Sequence, residues 1–269
     1  MNRTADVVIV GAGVIGSATA FELAKRGYKT LNIDKLPASG YGSTSNSCAI
    51  VRAHYSTWDG VAMAYEGFFY WDDWNKYLEV EDERGMAKYM KTGSIMFMLK
   101  GADHSKKSLN LFKEIGVEHE IWDLETLKKK MPIYSHDSYN GTSRPDEDDS
   151  FFDKSGDQIE GAVWTPGSGY VSDPQLATHN LQVATEAKGG EFLFDEEITE
   201  IRQSNGQIQG VTLKSGEQID CKVLVNVAGP HSFIINQMAG VEDDMNIKTK
   251  ALRHEVHHVS SPCLLYTSD

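Results

Sequence analysis

The chain has 269 residues, with 26 Lys and Arg against 39 Asp and Glu, and a formal net charge of −13. An apolar content of 40% and a charged content of 24% describe a globular chain and exclude a disordered tail or a collagen-like fibre. The acidic balance argues against nucleic acid or an anionic membrane as a bulk partner, yet a local arginine can still hold a small anion. Cys48, Cys221 and Cys263 have no CxxC spacing. They suggest neither a disulfide framework nor a zinc site, which fits a reducing compartment. No apolar run approaches the ~20 residues of a membrane helix, and Val7–Val10 is too short for a signal-peptide core. A cytoplasmic protein is the expectation.

In chain order, residues 6–10 read as a buried strand and 14–26 as a helix that Gly27 ends. Residues 30–34 resume an apolar strand. The loop "PASGYGSTSNS" (37–47) is rich in Gly and Ser and can lie close to a ligand. Asp59 is placed to cap a helix carrying Phe68, Trp71, Trp74 and Leu78, with the two tryptophans packing internally. Residues 94–99 read as a strand, and 109–115 and 124–130 as helices, with Pro132 stopping the second. Residues 134–161 are polar and unperiodic, and "DEDD" (146–149) reads as part of a solvated surface insertion rather than a metal site. Asp173 followed by Pro174 is a helix start, with Gly189 at the other end. Asn205–Gly206 and Ser215–Gly216 mark turns between short strands. Residues 222–227 form another buried strand, and 252–259 alternate like a strand. His254 and His258 then share a face that His257 does not, a poor arrangement for a metal. No metal is expected. Cys48 reads as a small buried filler.

The sharpest signal is "VVIVGAGVIGSATAFELAKRG" (7–27) followed by Asp34. Gly11, Gly13 and Gly16 form GxGxxG between a strand and a helix: one for the tight turn, one for close approach of a pyrophosphate, one for helix packing. The helix start offers unpaired N–H groups to phosphate. Asp34 falls where an acid accepts hydrogen bonds from a ribose, about twenty residues on. An acid there disfavours NADP. The early position of the motif, the Gly/Ser loop and the late "NVAG" favour FAD over NAD.

The chain resembles the FAD-dependent amine oxidoreductases of the D-amino-acid oxidase superfamily, above all sarcosine oxidases (monomeric enzymes and beta subunits) and dimethylglycine-oxidising enzymes. The fingerprint, "GSTSNSCAIVRAHY" (42–55), "KTGSIMFM" (91–98), "GSGYVSDPQLATHNL" (167–181) and "VLVNVAGPHS" (223–232) carry the resemblance. It implies an α/β fold: a Rossmann-like FAD-binding domain (1–85 and 163–240) interwoven with an α+β substrate domain on an antiparallel sheet (86–162 and 241–269). It implies that Gly11, Gly13, Val14, Ile15, Gly16, Asp34 and Lys35 hold the ADP half of FAD. Ser43, Thr44 and Ser45 would follow the pyrophosphate and ribityl chain, Ile198 would edge the adenine, and Ala228 and Gly229 would close over the cofactor. Arg52 matches the arginine that pairs with the substrate carboxylate, with His54 and Tyr55 as neighbouring candidates for proton transfer.

The expected reaction is oxidation of the C–N bond of a small N-substituted amino acid, with oxygen or an electron carrier as final acceptor. The chain could also be a subunit of a larger oxidase. A flavin dehydrogenase of a 2-hydroxy acid or glycerol phosphate is the alternative, and a non-catalytic nucleotide-binding fragment a third. The family continues with a further glycine-rich segment, so a longer parent protein is expected. Ala49 stands where some sarcosine oxidases have a second arginine.

Overall fold

The computed structural model describes residues 3–101, 103–140, 144, 146–248 and 250–252. Val7–Val10 and Thr30–Ile33 are buried along their whole length. They pair in parallel with each other, Val7–Val10 also with Val223–Asn226, and Thr30–Ile33 also with Glu191–Leu193. A strand covered on both faces favours a continuous apolar run, which Val7–Val10 has; Thr30–Ile33 instead buries Thr30 and Asn32 together with Leu31 and Ile33. Numbered along the chain, the four strands lie in the order 3-2-1-4. That is the arrangement of a dinucleotide-binding half-sheet, and it reverses between the first and fourth strands.

Helix Val14–Lys25 buries Ala20, Phe21 and Ala24, and Ala20 joins Val7 and Ile9 in one core cluster. Helix Pro174–Ala187 lies against it. On the other face Val8, Val10, Leu31 and Ile33 meet Ile198, Ile201, Val211, Leu213 and Ile219. Those residues come from a second sheet, Arg3–Thr4, Gln218–Asp220, Gln207–Leu213 and Ile198–Ser204, antiparallel apart from its first pair. Asn205 and Gly206 both take positive φ (52° and 73°), the backbone that a two-residue hairpin turn of this hand requires.

Asp173 caps its helix, accepting from the N–H groups of Gln175 and Leu176 at 2.9 Å each. The segment Leu78–Ala87 is tied to the same helix. Asp82 Oδ2 lies 2.5 Å from His179 Nδ1 and accepts from Asn180 Nδ2 at 2.8 Å, while Asp82 Oδ1 accepts from Arg84 N–H at 2.9 Å. Asn180 Oδ1 in turn accepts from the N–H of Ala87 at 2.9 Å.

The chain divides into two compact units. The first holds the residues up to Cys48, Leu78–Ala87 and the described residues from Asp173 on; the second is Ala49–Tyr77 with Lys88–Ser172. Residues 49–77 and 163–172 thus group apart from the nucleotide fingerprint, and 241–252 group with it, unlike the boundaries expected from sequence. The reason is pairing: Gly161–Thr165 is the central strand of an antiparallel sheet with Ser94–Met98 and Glu120–Asp123. A second antiparallel sheet joins Ile50–Val51, Gly169–Val171 and Tyr89–Met90. Helices Trp58–Asp72 and Asp103–Ile115 contribute Val61, Phe68 and Phe112 to a core with Ala53, Met96 and Val163.

Four expectations are corrected. Thr57, not Asp59, caps the helix from Trp58, because its hydroxyl reaches the N–H of Gly60 at 3.2 Å. That helix ends at Asp72 and a short one restarts at Trp74, although Trp71 and Trp74 still stack at 4.4 Å. Residues 134–161 contain a hairpin, Asp137–Tyr139 with Lys154–Gln158, rather than a wholly irregular insertion. Cys48 is exposed, not a buried filler, since it ends the Gly/Ser loop on the outside of its turns. The strand expected over 252–259, with His254, His257 and His258, lies outside the described residues apart from Leu252, as does Cys263. No helix among the described residues is long and apolar enough to cross a membrane.

Asp173→Ala is expected to cost about 0.5–2 kcal/mol, the loss of one N-cap, with Asp173→Asn retaining most of it; urea unfolding measures both. Asp82 yields a pH test. Burial pushes its carboxyl up, but hydrogen bonds from Arg84, His179 and Asn180 outweigh this and hold it below the usual carboxylate value. A carboxyl lowered in the folded state contributes stability at neutral pH that is lost as pH falls through its folded value. The Tm advantage of the wild type over Asp82→Asn should therefore be full at pH 7 and shrink below the ordinary carboxylate range of about 4.

Candidate functional site

After Val10 the chain must leave the sheet and enter a helix at Val14. Gly11 makes the turn at φ 111°, in the region that favours glycine. Any Cβ there would stand 2.6 Å from the carbonyl oxygen of Val227, at the end of the fourth strand. A Cβ on Gly16 would stand 2.1 Å from the Gly11 carbonyl oxygen. Gly13 differs, with an ordinary φ of −71°. Its glycine is a matter of space: a Cβ would lie 3.2 Å from Thr44 Oγ1.

The loop is braced from the second strand. Asp34 Oδ2 accepts from the N–H of Ala12 at 2.7 Å and Oδ1 from that of Leu36 at 3.0 Å. A carboxylate has about four lone-pair sites, so acceptor capacity remains. Thr44 Oγ1 accepts from the N–H of Val14 at 3.1 Å. The N–H groups of Ile15 and Gly16 lie in the first helical turn and have no acceptor within the helix.

These groups surround a cavity of about 370 Å³ at the point where the sheet order reverses, the usual place for a ligand in such a sheet. Of the residues expected from sequence, Gly11, Gly13, Val14, Ile15, Gly16, Asp34, Lys35, Ser43, Thr44, Ile198, Ala228 and Gly229 line it. Ser45 does not: its hydroxyl donates to the Gly42 carbonyl at 3.1 Å and its N–H to that of Gly40 at 2.9 Å. Sequence reasoning missed Leu36, Glu196, Glu197, Val227, Pro230, His231 and Ile235, which also line it. The glutamates arrive because the third strand ends at the same sheet edge, and the Glu196 N–H donates to the Asp34 carbonyl at 3.2 Å. Three carboxylates against Lys35 and His231 leave backbone N–H groups, not cations, to receive a diphosphate. Narrow glycines, helix-start donors, an acid with spare acceptor capacity at Asp34 and apolar walls from Val10, Ile33 and Ile198 fit the ADP half of FAD.

The second unit holds a cavity of about 260 Å³ lined by Arg52, His54, Tyr55, Ser56, Ile95, Met96 and His104. His54 is buried, stacks on Phe112 with ring centroids 5.5 Å apart, and has Nε2 2.8 Å from Thr165 Oγ1. Burial, then the charges of Arg52 and His104, lower its pKa to about 4, so it is uncharged at neutral pH. Arg52 and Tyr55 are exposed. No carboxylate lines this cavity, and Arg52 has no ion-pair partner among the described residues. No group of three metal-ligating side chains comes together among the described residues.

The family model "FAD dependent oxidoreductase" matches residues 6–265. The chain is 27% identical over 273 residues to the sarcosine oxidase subunit beta of Rhodobacter capsulatus, covering 96% of this chain and 57% of that one. It is 25% identical over 236 residues to the glycerol 3-phosphate dehydrogenase of Caloramator mitchellensis, covering 87% of this chain and 43% of that one. Among solved structures, L-proline dehydrogenase from P. horikoshii superposes with a TM-score of 0.72 at 22% identity, covering 90% of this chain and 57% of that one. The chain thus spans less than two thirds of the relatives it matches. With the reversed sheet, the glycine turn and a match over nearly its whole length, the chain belongs to the FAD-dependent oxidoreductase family, whose cofactor is FAD.

Proposed function

We propose that this chain oxidises the C–N bond of a small N-substituted amino acid of the sarcosine or dimethylglycine kind, with FAD as the immediate acceptor. The observation that carries the reading is Arg52: an arginine with no acidic partner among the described residues, in a cavity that no described carboxylate lines, in a chain of net charge −13. The name of the Rhodobacter capsulatus relative supports the same substrate class. That relative's being a beta subunit also supports assembly into a larger oxidase.

Bound FAD would supply a two-electron acceptor for the hydride that leaves the carbon next to nitrogen. The chain's own residues bind and orient. Gly11 and Gly16 let the turn close, Gly13 keeps the helix start open, and Asp34 offers its remaining lone pairs to the ribose. Arg52 stays charged at any working pH and presents two parallel N–H groups to a carboxylate. Holding that carboxylate fixes the carbon that loses hydride. His54 is a poor proton acceptor at neutral pH, with a pKa near 4 and Nε2 engaged by Thr165. The amine proton is better lost to solvent before binding. Oxidation of a 2-hydroxy acid or of glycerol phosphate is the second reading. The Caloramator mitchellensis relative favours it, and Arg52 would serve a phosphate equally.

Gly13→Val should keep the fold, because its backbone angles suit valine, yet lose FAD. Absorbance of the flavin after gel filtration reads the result, and stoichiometric retention would remove Gly13 from the site. Arg52→Ala should retain the flavin spectrum and lower kcat/KM for an amino-acid substrate. A charge-assisted hydrogen bond is worth about 1.5–3 kcal/mol, so the fall is roughly 10- to 150-fold, mostly in KM. A substrate amine without a carboxylate should be little affected. Unchanged sarcosine-type turnover in this variant overturns the substrate assignment.

A further inference from the structure

The smaller cavity contains a second nitrogen group whose purpose the reading above leaves open. His104 stands in the first turn of helix Asp103–Ile115, and its side chain lines the cavity with Arg52. The two belong to distant parts of the chain, yet both act electrostatically on His54, so all three share one neighbourhood. His54 is fixed by Thr165 and Phe112. It adds a hydrogen-bonding ring without charge. We propose that His104 and Arg52 together form an oxyanion subsite that takes the carboxylate or phosphate end of the substrate.

The charges around His104 favour this. On its own helix, Asp103 is 3.8 Å from Lys106 and does not line the cavity, and Lys107 adds a further cation to the same turn. Arg52, His54 and Tyr55 line the same cavity, and no carboxylate among the described residues lines it with them. The positive end of the helix adds a smaller contribution of the same sign. Ile95 and Met96 supply apolar wall, which strengthens any charge pair formed there. An arginine fork takes two oxygens of a planar anion, and an imidazole donor beside it takes a third contact or shares one oxygen. Such a site selects a substrate by its anionic end, so His104 is a specificity-determining residue. The inference rests on the flavoenzyme reading for its biological use, but not for its chemistry.

The test uses the holoenzyme with 13C-labelled histidine at constant pH and ionic strength. Acetate and, separately, inorganic phosphate are added, and the ring resonance of His104, assigned by its loss in His104→Gln, is followed. A saturable movement in the wild type that Arg52→Ala removes is the expected result. Tighter binding of acetate points to an amino-acid carboxylate, and tighter binding of phosphate to a phosphate ester. In turnover, His104→Gln should reduce discrimination between a carboxylate substrate and its carboxamide by roughly tenfold, one charge-assisted hydrogen bond. An unmoved resonance, or one that moves equally in Arg52→Ala, overturns the subsite. Saturable binding without any amine turnover leaves the subsite standing and overturns the proposed reaction instead. Turnover whose carboxylate preference is the same in His104→Gln overturns the subsite and spares the reaction.

Discussion

The close approach of two backbones, Gly11 against Val227, governs the rest of the nucleotide-binding unit. The first and fourth strands are neighbours in the sheet, and the chain leaves both at the same edge. A turn that carried a side chain at Gly11 would collide with the Val227 carbonyl. The next turn of the helix must also fit, so Gly16 meets the Gly11 carbonyl at a distance no Cβ tolerates. Two glycines therefore set how close the helix start comes to the strand ends, and hence where its free N–H groups point. Asp34 then locks the turn from the second strand through the N–H of Ala12. The cavity is a consequence of this packing.

The two cavities are lined in electrostatically opposite ways. The nucleotide cavity is lined by Asp34, Glu196 and Glu197 and has few cations. Oriented backbone N–H groups at a helix start can receive an anion without a counter-charge, and here they are already in place. The smaller cavity has the opposite balance: side-chain nitrogens and, among the described residues, no carboxylate. An acidic chain keeps a small anionic substrate out of most of its surface by repulsion, so a pocket of this kind stands out electrostatically. His54 contributes by remaining neutral. A charge on it would stand beside the Arg52 guanidinium. Its burial against Phe112 prevents that.

Much of the nucleotide-binding unit was legible because its signals are local. Val7–Val10 is apolar throughout, Leu31 and Ile33 mark the second strand despite Thr30 before and Asn32 between them, and the Asp173–Pro174 cap is written in adjacent residues. The missed features depend on partners far away in sequence. Glu196 and Glu197 reach the cavity only because the sheet order is 3-2-1-4, which no local pattern records. Thr57 and Asp59 are both good caps, and only the geometry of the turn chooses the first. The hairpin of Asp137–Tyr139 and Lys154–Gln158 is too polar to alternate, so it leaves no period-two trace. His104 carries no motif, and only the fold brings it to line the same cavity as Arg52. Ser45 illustrates the converse: a residue in the right loop whose hydroxyl the loop itself consumes.

The interwoven chain explains why polar anchors occur where they do. Four times the chain passes from one unit to the other, after Cys48, Tyr77, Ala87 and Ser172. A segment that merely visits a unit has little apolar surface to bury there, so it needs directed bonds to stay. Leu78–Ala87 shows this most clearly: Leu78 is buried, but its register on the helix is fixed by Asp82 with His179 and Asn180, and by Asn180 with Ala87. The return at Asp173 is fixed by a cap that also starts that helix. The first passage is held by the turns of the Gly/Ser loop, with Gly40 N–H donating to the Ala12 carbonyl at 2.8 Å. Thr44 lies just before that passage and Arg52 just after it. A single stretch of chain therefore carries both a group that lines the nucleotide cavity and the cation of the smaller one.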